Sequence, residues 1–455
     1  MSQSEQATGF PKFSLGDYGM VVALLALCLL FSLLTFKRQP GSGSEAEAEM
    51  VGSVLNQISK SDFALIVGAA NTESENLARN VYQQVVDSSR DKVRLIIGTP
   101  RDLRLALDEL SDNGDSLGGI VASGDVVKWR VIEQMPENFP QFSNYELAVP
   151  SERLWPDFLK ASNLLAIVER IVVIAIIAIG MTMVIITAGI DLSVGSLIAL
   201  SAVLSATVVK KFGGADAPSW SVGVGFLVGI LSCGLIGLFA GSLVHRFKVA
   251  AFIVTLGIMM MARGLAFITT GGFSIDQVPN SFVWLAQGSI LGIPNTILLL
   301  VLIYGSAHVF MAHTRYGRYI YAVGGNAEAA RLTGVPVGAV ILLVYTISGL
   351  SAGLGGCLQA SLVRAASPNM ANMYELYVIA AVVVGGTSLS GGSGRVFGTL
   401  IGAFIIAVIQ NGMNLIGIQS YTQMFTLGGV IVLAVLLDKA RQSGGIRKLL
   451  AGRWN

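Results

Sequence analysis

An aspartate that separates two long apolar runs constrains the fold of this chain more than any other residue. Asp191 follows the run from Ile171 to Ala188 and precedes the run from Leu197 to Val209. A charged side chain at the centre of a bilayer costs roughly 3 kcal/mol or more, so an aspartate at that depth indicates a functional site. Glycines and serines around it allow the backbone to leave the helix, which lipid tolerates only where protein or a water-filled cavity surrounds the break. Broken helices of this kind are typical of transport paths, and the sequence therefore predicts a membrane transporter.

The composition is that of a membrane protein with one water-soluble part. Of the 455 residues, 53% are hydrophobic and only 13% are charged. Between Arg38 and Lys160 there are 19 acidic and 12 basic residues, whereas the rest of the chain has 9 acidic and 18 basic residues. We therefore expect an acidic soluble domain and a helical bundle whose basic residues flank the spans.

Apolar stretches of about 20 residues, the length that crosses a bilayer, recur through the chain. Ten of them start near residues 18, 171, 196, 221, 249, 295, 339, 375, 396 and 422. The eighth reaches Gly385 after about ten residues, which is the length of a half-helix. The stretches predict an all-α polytopic membrane protein of about 10 transmembrane helices, the first of which, residues 18–36, is an uncleaved anchor. Glycine pairs at four-residue spacing, such as Gly225/Gly229 and Gly237/Gly241, predict close helix packing.

The distribution of Lys and Arg over the short loops sets the orientation of the bundle. Basic residues follow the fourth, sixth and tenth spans, and these three connections lie on one side of the membrane. That side is the cytoplasm by the positive-inside rule. We therefore expect cytoplasmic tails at residues 1–17 and 439–455, and we expect the long segment between the first two spans outside the cytoplasm.

The segment from residue 37 to residue 155 alternates strand and helix patterns. Phe63–Val67, Val93–Ile97 and Gly119–Ala122 have the pattern of buried strands, and amphipathic stretches separate them. This alternation predicts a small extracytoplasmic α/β domain with a parallel sheet. In the order of its elements it resembles one lobe of a periplasmic sugar-binding protein. The loops after its strands are a candidate ligand-binding edge, and a docking or spacer domain without a ligand is the alternative.

Four motifs beyond the α/β segment resemble those of a known transporter family. In chain order they fall at residues 180–196, 314–326, 384–392 and 411–415, and they include IDLSVGS, TRYGRYIYAVGGN, VGGTSLSGG and NGMNL. In this order and spacing they resemble the permease subunits of ribose-type ATP-binding-cassette (ABC) importers, whose superfamily also includes the branched-chain amino-acid permeases. The resemblance covers the first span and a permease core at residues 156–438. The soluble domain inserted between the first two spans departs from the family pattern.

The resemblance implies a bacterial inner-membrane permease for a ribose-like monosaccharide or a related polyol, energised by a separate ATPase subunit. It implies three protein partners: that ATPase, a second permease chain (a copy of this one or a paralogue) and a periplasmic solute-binding protein. The small solute and membrane lipid complete the expected partners, and no feature predicts a nucleic-acid partner. The sequence has no Gly-x-x-x-x-Gly-Lys-Ser/Thr phosphate loop, no nucleophile–base pair and no metal-ligand cluster. We therefore expect a transport subunit rather than an enzyme, with no cofactor or metal, and ATP bound by another chain.

The loop from Arg315 to Gly334 is the candidate ATPase-coupling region. It is basic, and Glu328-Ala329-Ala330 precedes Gly334 with the spacing of coupling loops in importer permeases. A short helix followed by a glycine turn can seat in a groove of an ATPase. The candidate coupling residues are Arg315, Gly317, Arg318, Asn326, Glu328, Arg331 and Gly334, with Asn326 as a helix cap and Gly334 as a turn. An ordinary positive-inside loop would explain the arginines but not this spacing.

The candidates for the translocation path or its gate are polar residues inside the spans: Asp191, Ser193, Ser196, Asn411 and Asn414. A structural role is the alternative for each. Asp191, assisted by Ser193, could cap the third span, and the asparagines could bond a neighbouring helix at a gain of roughly 1 kcal/mol.

Other functions remain open from the residues alone. One is a branched-chain amino-acid permease, and another is a non-transporting membrane receptor with a ligand-binding insert. An ion-coupled transporter would need several intramembrane carboxylates along its path. Only Glu169, Asp191 and Glu375 qualify, and two of these lie near span ends.

Overall fold

The structure is a computed structural model that describes residues 19–442 except residues 40, 42, 60, 89 and 143. The expected N-terminal tail and most of the expected C-terminal tail, from residue 443 onward, lie outside the described residues. The chain forms two compact units, one at Leu33–Leu159 and the other made of the segments on either side of it.

After α1 (Gly19–Leu34), the unit Leu33–Leu159 alternates strands and helices. Its strands are β1 (Phe36–Gln39), β2 (Phe63–Ala69), β3 (Val93–Gly98), β4 (Leu117–Ala122), β5 (Glu146–Ala148) and β6 (Arg153–Pro156). Its helices are α2 (Ser44–Asn56), α3 (Glu73–Asp87), α4 (Pro100–Asp112), α5 (Gly124–Val127), α6 (Arg130–Glu133) and α7 (Met135–Asn138). Four strands form a parallel sheet in the order β3-β2-β4-β5, and β1 pairs antiparallel with β6.

The central strand of this sheet supplies two hydrophobic cores. Leu65 and Val67 pack in a core with α4, whereas Ala64 and Ile66 pack in a second core with α2 and α3. Successive side chains of a strand point to opposite faces, so helices must cover both faces of a strand that is apolar throughout. All four side chains are buried.

Polar groups in the loops after β2 and β3 cap the helices that follow. The Asn71 N–H donates to Oε2 of Glu75 at 2.8 Å, and the Thr99 N–H donates to Oδ2 of Asp102 at 2.7 Å. These backbone bonds hold the pKa of Glu75 and of Asp102 below the ordinary range of a carboxyl group. Two of the three loops at the predicted ligand-binding edge are thus closed by helix caps, whereas the buried hydroxyl of Ser123, in the loop after β4, has no hydrogen-bond partner among the described residues. A polar groove of about 640 Å³ lies at the other end of the sheet, where the amino ends of the strands meet. Asp62 is one of the residues that line it.

Besides most of α1, the second unit is a bundle of helices, the majority of them apolar. They are α8 (Ala161–Ile186), α9 (Val194–Lys211), α10 (Ser219–Phe247), α11 (Ala251–Thr270), α12 (Asn280–Gln287), α13 (Asn295–His313), α14 (Arg315–Gly325), α15 (Ala327–Leu332), α16 (Val337–Val363), α17 (Tyr374–Val384), α18 (Val396–Leu415) and α19 (Ser420–Gln442), with a small hairpin of β7 (Ser289–Ile290) and β8 (Ile293–Pro294). Among the described residues, seven helices are long and apolar enough to cross a membrane: α8, α9, α10, α11, α13, α16 and α18. This confirms a polytopic helical membrane protein. α17 has 11 residues, the length expected of a half-helix.

The helix that precedes the predicted break is enclosed over most of its length. Every residue of α8 from Ile171 to Ile186 is buried. A helix that is apolar on all sides is buried on all sides. Glycines let α10 approach two neighbours: a Cβ on Gly225 would lie 2.7 Å from the Ser205 carbonyl of α9, and one on Gly241 would lie 3.1 Å from Cα of Leu342 on α16. These contacts confirm the packing role predicted for the glycine pairs.

Candidate functional site

The predicted break lies between α8 and α9. α8 ends at Ile186 and α9 begins at Val194. Ala188 has a left-handed backbone with a φ of 60°, and the Gly189 N–H donates to the Val184 carbonyl at 3.0 Å. A left-handed residue with such a returning bond ends a helix and leaves the following residues irregular.

A threonine on α11 forms hydrogen bonds with the irregular backbone of the break. Thr255 Oγ1 accepts a bond from the Leu192 N–H at 3.1 Å and lies 3.2 Å from the Ile190 carbonyl oxygen. The Thr255 side chain is buried. Because non-helical backbone at membrane depth needs partners within the protein, this contact explains how the break is tolerated.

The carboxylate of Asp191 links the start of α9 to α16. Its Oδ1 accepts bonds from the Ser193 N–H at 3.0 Å and from Ser193 Oγ at 2.6 Å. Its Oδ2 accepts a bond from Ser348 Oγ at 2.7 Å. Only 1% of the Asp191 surface is exposed. The alternative role, a side-chain cap for α9, is not seen in the expected form: among the described residues, Ser193 precedes α9 and makes no side-chain cap bond to it, and Asp191 instead closes a turn on Ser193 and bonds a second helix.

Two buried hydroxyls on the helices that this carboxylate links have no hydrogen-bond partner among the described residues. They belong to Ser196 in the first turn of α9 and to Tyr345, one turn before Ser348 on α16. A Cβ on Gly189 would lie 2.6 Å from the Tyr345 hydroxyl, so this glycine leaves room for the ring. Buried polar groups are nearly always paired, so these two hydroxyls are candidates for binding a water molecule or a solute hydroxyl.

An arginine that sequence reasoning missed lies near Glu375, beside the same end of α9. Arg263, inside α11, donates from Nη1 to the carbonyls of Pro368 and Met370, each at 2.7 Å. Its charge also interacts with Glu375 in the first turn of α17. A Cβ on Gly195 would overlap the Glu375 carboxylate. The available signal was a single arginine within the apolar run of α11.

The two asparagines predicted for the path lie elsewhere in the bundle. Asn411 Nδ2 donates to Oδ1 of Asn163 near the start of α8 at 2.9 Å, and Asn414 Oδ1 accepts from Gln423 Nε2 at 2.7 Å. Asn163 precedes the end of α8 by 23 residues, which at 1.5 Å per residue separates it from the break by about 35 Å along the helix. The structure thus groups Asp191, Ser193 and Ser196 and separates them from the asparagines, whose role in the path stays a prediction.

The candidate coupling region folds into two short helices, α14 and α15, and its predicted turn residues have the expected roles. Asn326 Oδ1 accepts from the Ala329 N–H at 2.9 Å and caps α15. Gly334 has a φ of 86°, which favours glycine, and it ends the turn after α15. Gly317 is buried in the first turn of α14, where a Cβ would overlap the Met311 carbonyl. The helix cap and the glycine turn are confirmed.

The charged side chains of the same region are exposed. Glu328 pairs with Arg331 one turn later at 2.9 Å, and their side chains are 76% and 69% exposed. Arg315 and Arg318 are exposed on α14, where the Arg315 guanidinium lies 5.2 Å from the centre of the Tyr316 ring. Because an exposed ion pair contributes little to stability, Glu328 and Arg331 can give up their mutual contact and pair with charges of a partner protein.

Comparison with known proteins agrees with the bundle rather than with the α/β unit. The family described as the permease component of branched-chain amino acid transport systems matches residues 163–435. The ribose import permease protein of Escherichia coli K12 is 41% identical over 64% of this chain and 89% of its own length. The corresponding protein of Bacillus subtilis is 40% identical over 63% of this chain and 88% of its own length.

Relatives named for other sugars match the same part. The D-allose transport system permease protein of Escherichia coli K12 is 36% identical over 62% of this chain and 85% of its own length. No solved structure matches the chain at a comparable level of significance. The chain therefore belongs to this family of permease components, and its resemblance to the ribose-type ABC importer permeases is confirmed.

Proposed function

We propose that this chain forms the path for a monosaccharide such as ribose, or a related polyol, in an ATP-driven importer. One observation carries the proposal: a buried carboxylate, Asp191, lies at a helix break and links α9 to α16, and each of these helices has a buried hydroxyl (Ser196 and Tyr345) without a partner among the described residues. Carboxylates and hydroxyls are the groups that exchange hydrogen bonds with a polyhydroxylated solute. Relatives named for ribose, L-arabinose and D-allose, at 35–41% identity, support a sugar over a branched-chain amino acid.

The proposed bundle has ten spans. Seven long helices and three shorter apolar ones, Gly19–Leu34, Tyr374–Val384 and Ser420–Leu436, together supply that number. With ten spans both chain termini are cytoplasmic in a bacterial inner membrane, and the exposed charges of α14 and α15 lie on the same side as an ATPase subunit.

The proposed complex has two permease chains, two ATPase subunits and a periplasmic solute-binding protein. α15 presents Glu328, Arg331 and the 84% exposed Leu332 as a compact charged and apolar tip. A short helix of this composition can seat in a groove of an ATPase subunit, where closure of the ATPase would move it.

The α/β unit is proposed to be an extracytoplasmic insert with a docking or spacer role. β1 pairs with β6 so that Gln39 lies opposite Arg153, which brings the two ends of the insert together. The family match begins at residue 163, after this unit. In two of its three candidate ligand loops the polar groups are engaged by Glu75 and Asp102 at helix caps, which favours docking over ligand binding.

The experiment that tests the proposal is affinity purification of the tagged chain from native membranes. We expect an ATPase with a phosphate-binding loop to co-purify at one copy per permease chain. A folded preparation without an ATPase would contradict the importer function and favour a receptor.

A further inference from the structure

A glycine of the coupling region packs against the end of α8. Gly324 lies in the last turn of α14, and a Cβ on it would overlap the carbonyl of Ile186, the last residue of α8. The same Cβ would lie 2.7 Å from the backbone nitrogen of Gly392. Backbone therefore packs on backbone here, without a side chain between the two helices.

The third partner in this contact is the glycine-rich loop between α17 and α18. The Gly392 N–H donates to the Ile186 carbonyl at 2.9 Å. Gly391 and Gly392 have φ values of 85° and 72°, a conformation that other residues rarely adopt. A Cβ on Gly391 would lie 2.9 Å from the Gly324 carbonyl oxygen.

A side chain of α14 holds the other end of this loop. The Tyr321 hydroxyl donates to the Gly394 carbonyl at 2.9 Å. Tyr321 and Gly324 are three positions apart and therefore lie on one face of α14. That face of α14 therefore contacts the loop at two points, through Tyr321 and through Gly324. Gly324 also contacts α8.

The contact between Gly324 and Ile186 lies next to the helix break. Ile186 precedes Asp191 by five residues, and the turn between them is closed by its own backbone bonds. Side chains can absorb a small displacement by changing rotamer, whereas packed backbone cannot. Because close-packed interfaces shift between discrete arrangements, a movement of α14 must displace the end of α8, the glycine loop or both.

We propose that Gly324 transmits movement of the coupling helices to the Asp191 break through Ile186 and Gly392. This inference rests on the proposed importer function and names the residues that carry its coupling step. Gly324 is a positioning residue, since it acts through Ile186 and has no contact with the solute in the proposal.

The test compares Gly324→Ala with Gly325→Ala in the full complex with its ATPase, using D-ribose, L-arabinose and D-allose as probes. Gly325 is the next residue of the same helix, and a Cβ on it would meet no atom within 4 Å. Both variants therefore add one methyl group. There is room for it at Gly325 but not at Gly324. The measured quantities are sugar taken up per ATP hydrolysed and ATPase retained on purification.

We expect Gly324→Ala to retain the ATPase and to lower sugar uptake per ATP by about tenfold, a typical coupling between two sites. Gly325→Ala should match the wild type. Wild-type coupling in a folded Gly324→Ala complex would overturn the inference. If the wild type takes up none of the three probes and binds no ATPase, the proposed function itself fails and the inference fails with it.

A second variant decides the case in which Gly324→Ala does not fold. Tyr321→Phe removes one hydroxyl and its bond to the Gly394 carbonyl, and it leaves the ring in place. We expect a lower uptake per ATP with full retention of the ATPase. An unchanged ratio in Tyr321→Phe would then overturn the inference.

Discussion

The Ser348 hydroxyl of α16 donates a 2.7 Å hydrogen bond to Oδ2 of Asp191, 157 positions earlier in the chain. This bond ties the helix break to the middle of a helix that starts directly after the coupling region. Asp191 therefore has a structural role and a position in the proposed path at once, and substitutions can separate the two.

Asp191→Asn should lower sugar uptake by about tenfold or more, with the fold retained. The amide oxygen can still accept from Ser193, and the amide nitrogen can donate to the Ser348 oxygen, so the variant removes the carboxyl group and keeps the hydrogen bonds. Uptake and thermal unfolding in detergent measure the two effects. Normal uptake by Asp191→Asn would show that the residue serves only to hold the helices together.

Ser348→Ala should destabilise the bundle by about 1 kcal/mol, because it removes one of the three donors to the carboxylate. Thr346→Ala is the matched control on the same helix, since within the described part of the chain the Thr346 hydroxyl bonds only the Leu342 carbonyl of α16. Thermal unfolding of both variants in the same detergent gives the comparison. Equal stability of the two would mean that the bond between α16 and Asp191 contributes nothing.

Arg263→Ala should lower the stability of the bundle by about 2 kcal/mol, because it removes a charged donor from two carbonyls. It also leaves Glu375 without its nearby positive charge. The double variant Arg263→Ala with Glu375→Gln should therefore lose less stability than the sum of the single losses. Unfolding measurements on the three variants test this, and strictly additive losses would contradict an interaction between the two residues.

Glu328→Arg should abolish transport and ATPase binding while expression and membrane insertion stay normal. The substitution reverses the exposed charge that pairs with Arg331 at the tip of α15. Asp216→Arg, which reverses an exposed carboxylate in the connection after α9, is the control and should co-purify with the ATPase as the wild type does. Full retention of the ATPase by Glu328→Arg would count against the coupling role.

Deletion of the α/β unit should leave the bundle folded. β1 and β6 form an antiparallel pair, so an Asn-Gly turn that joins Gln39 directly to Arg153 gives a short hairpin in place of the insert. A symmetric peak on size-exclusion chromatography, with the ATPase still bound, is the expected result. Aggregation of this variant would show that the unit is needed for assembly.

The apolar runs made the helices of the bundle predictable, because helices in lipid must be long, apolar and internally hydrogen-bonded. The same holds for the caps and turns of the coupling region, where local residues such as Asn326 and Gly334 form the structure. Contacts between distant segments were not predictable. Nothing in the sequence pairs Asp191 with Ser348 or Arg263 with the carbonyl of Pro368, since both contacts follow from how the helices pack.

The asparagines show the same limit. Asn411 and Asp191 both lie among apolar residues, and the sequence gives depth within a span but not which ends of two helices meet. The structure places Asn411 beside Asn163, at the opposite end of α8 from the break. Their separation in space follows from the run of α18 along α8, which no local pattern encodes.

ATP-dependent uptake of D-ribose by the purified complex in proteoliposomes tests the central claim most directly. The account predicts uptake that requires ATP on the ATPase side, continues in the presence of ionophores and falls in Asp191→Asn. Uptake that persists without ATP and collapses with the ion gradient would contradict it.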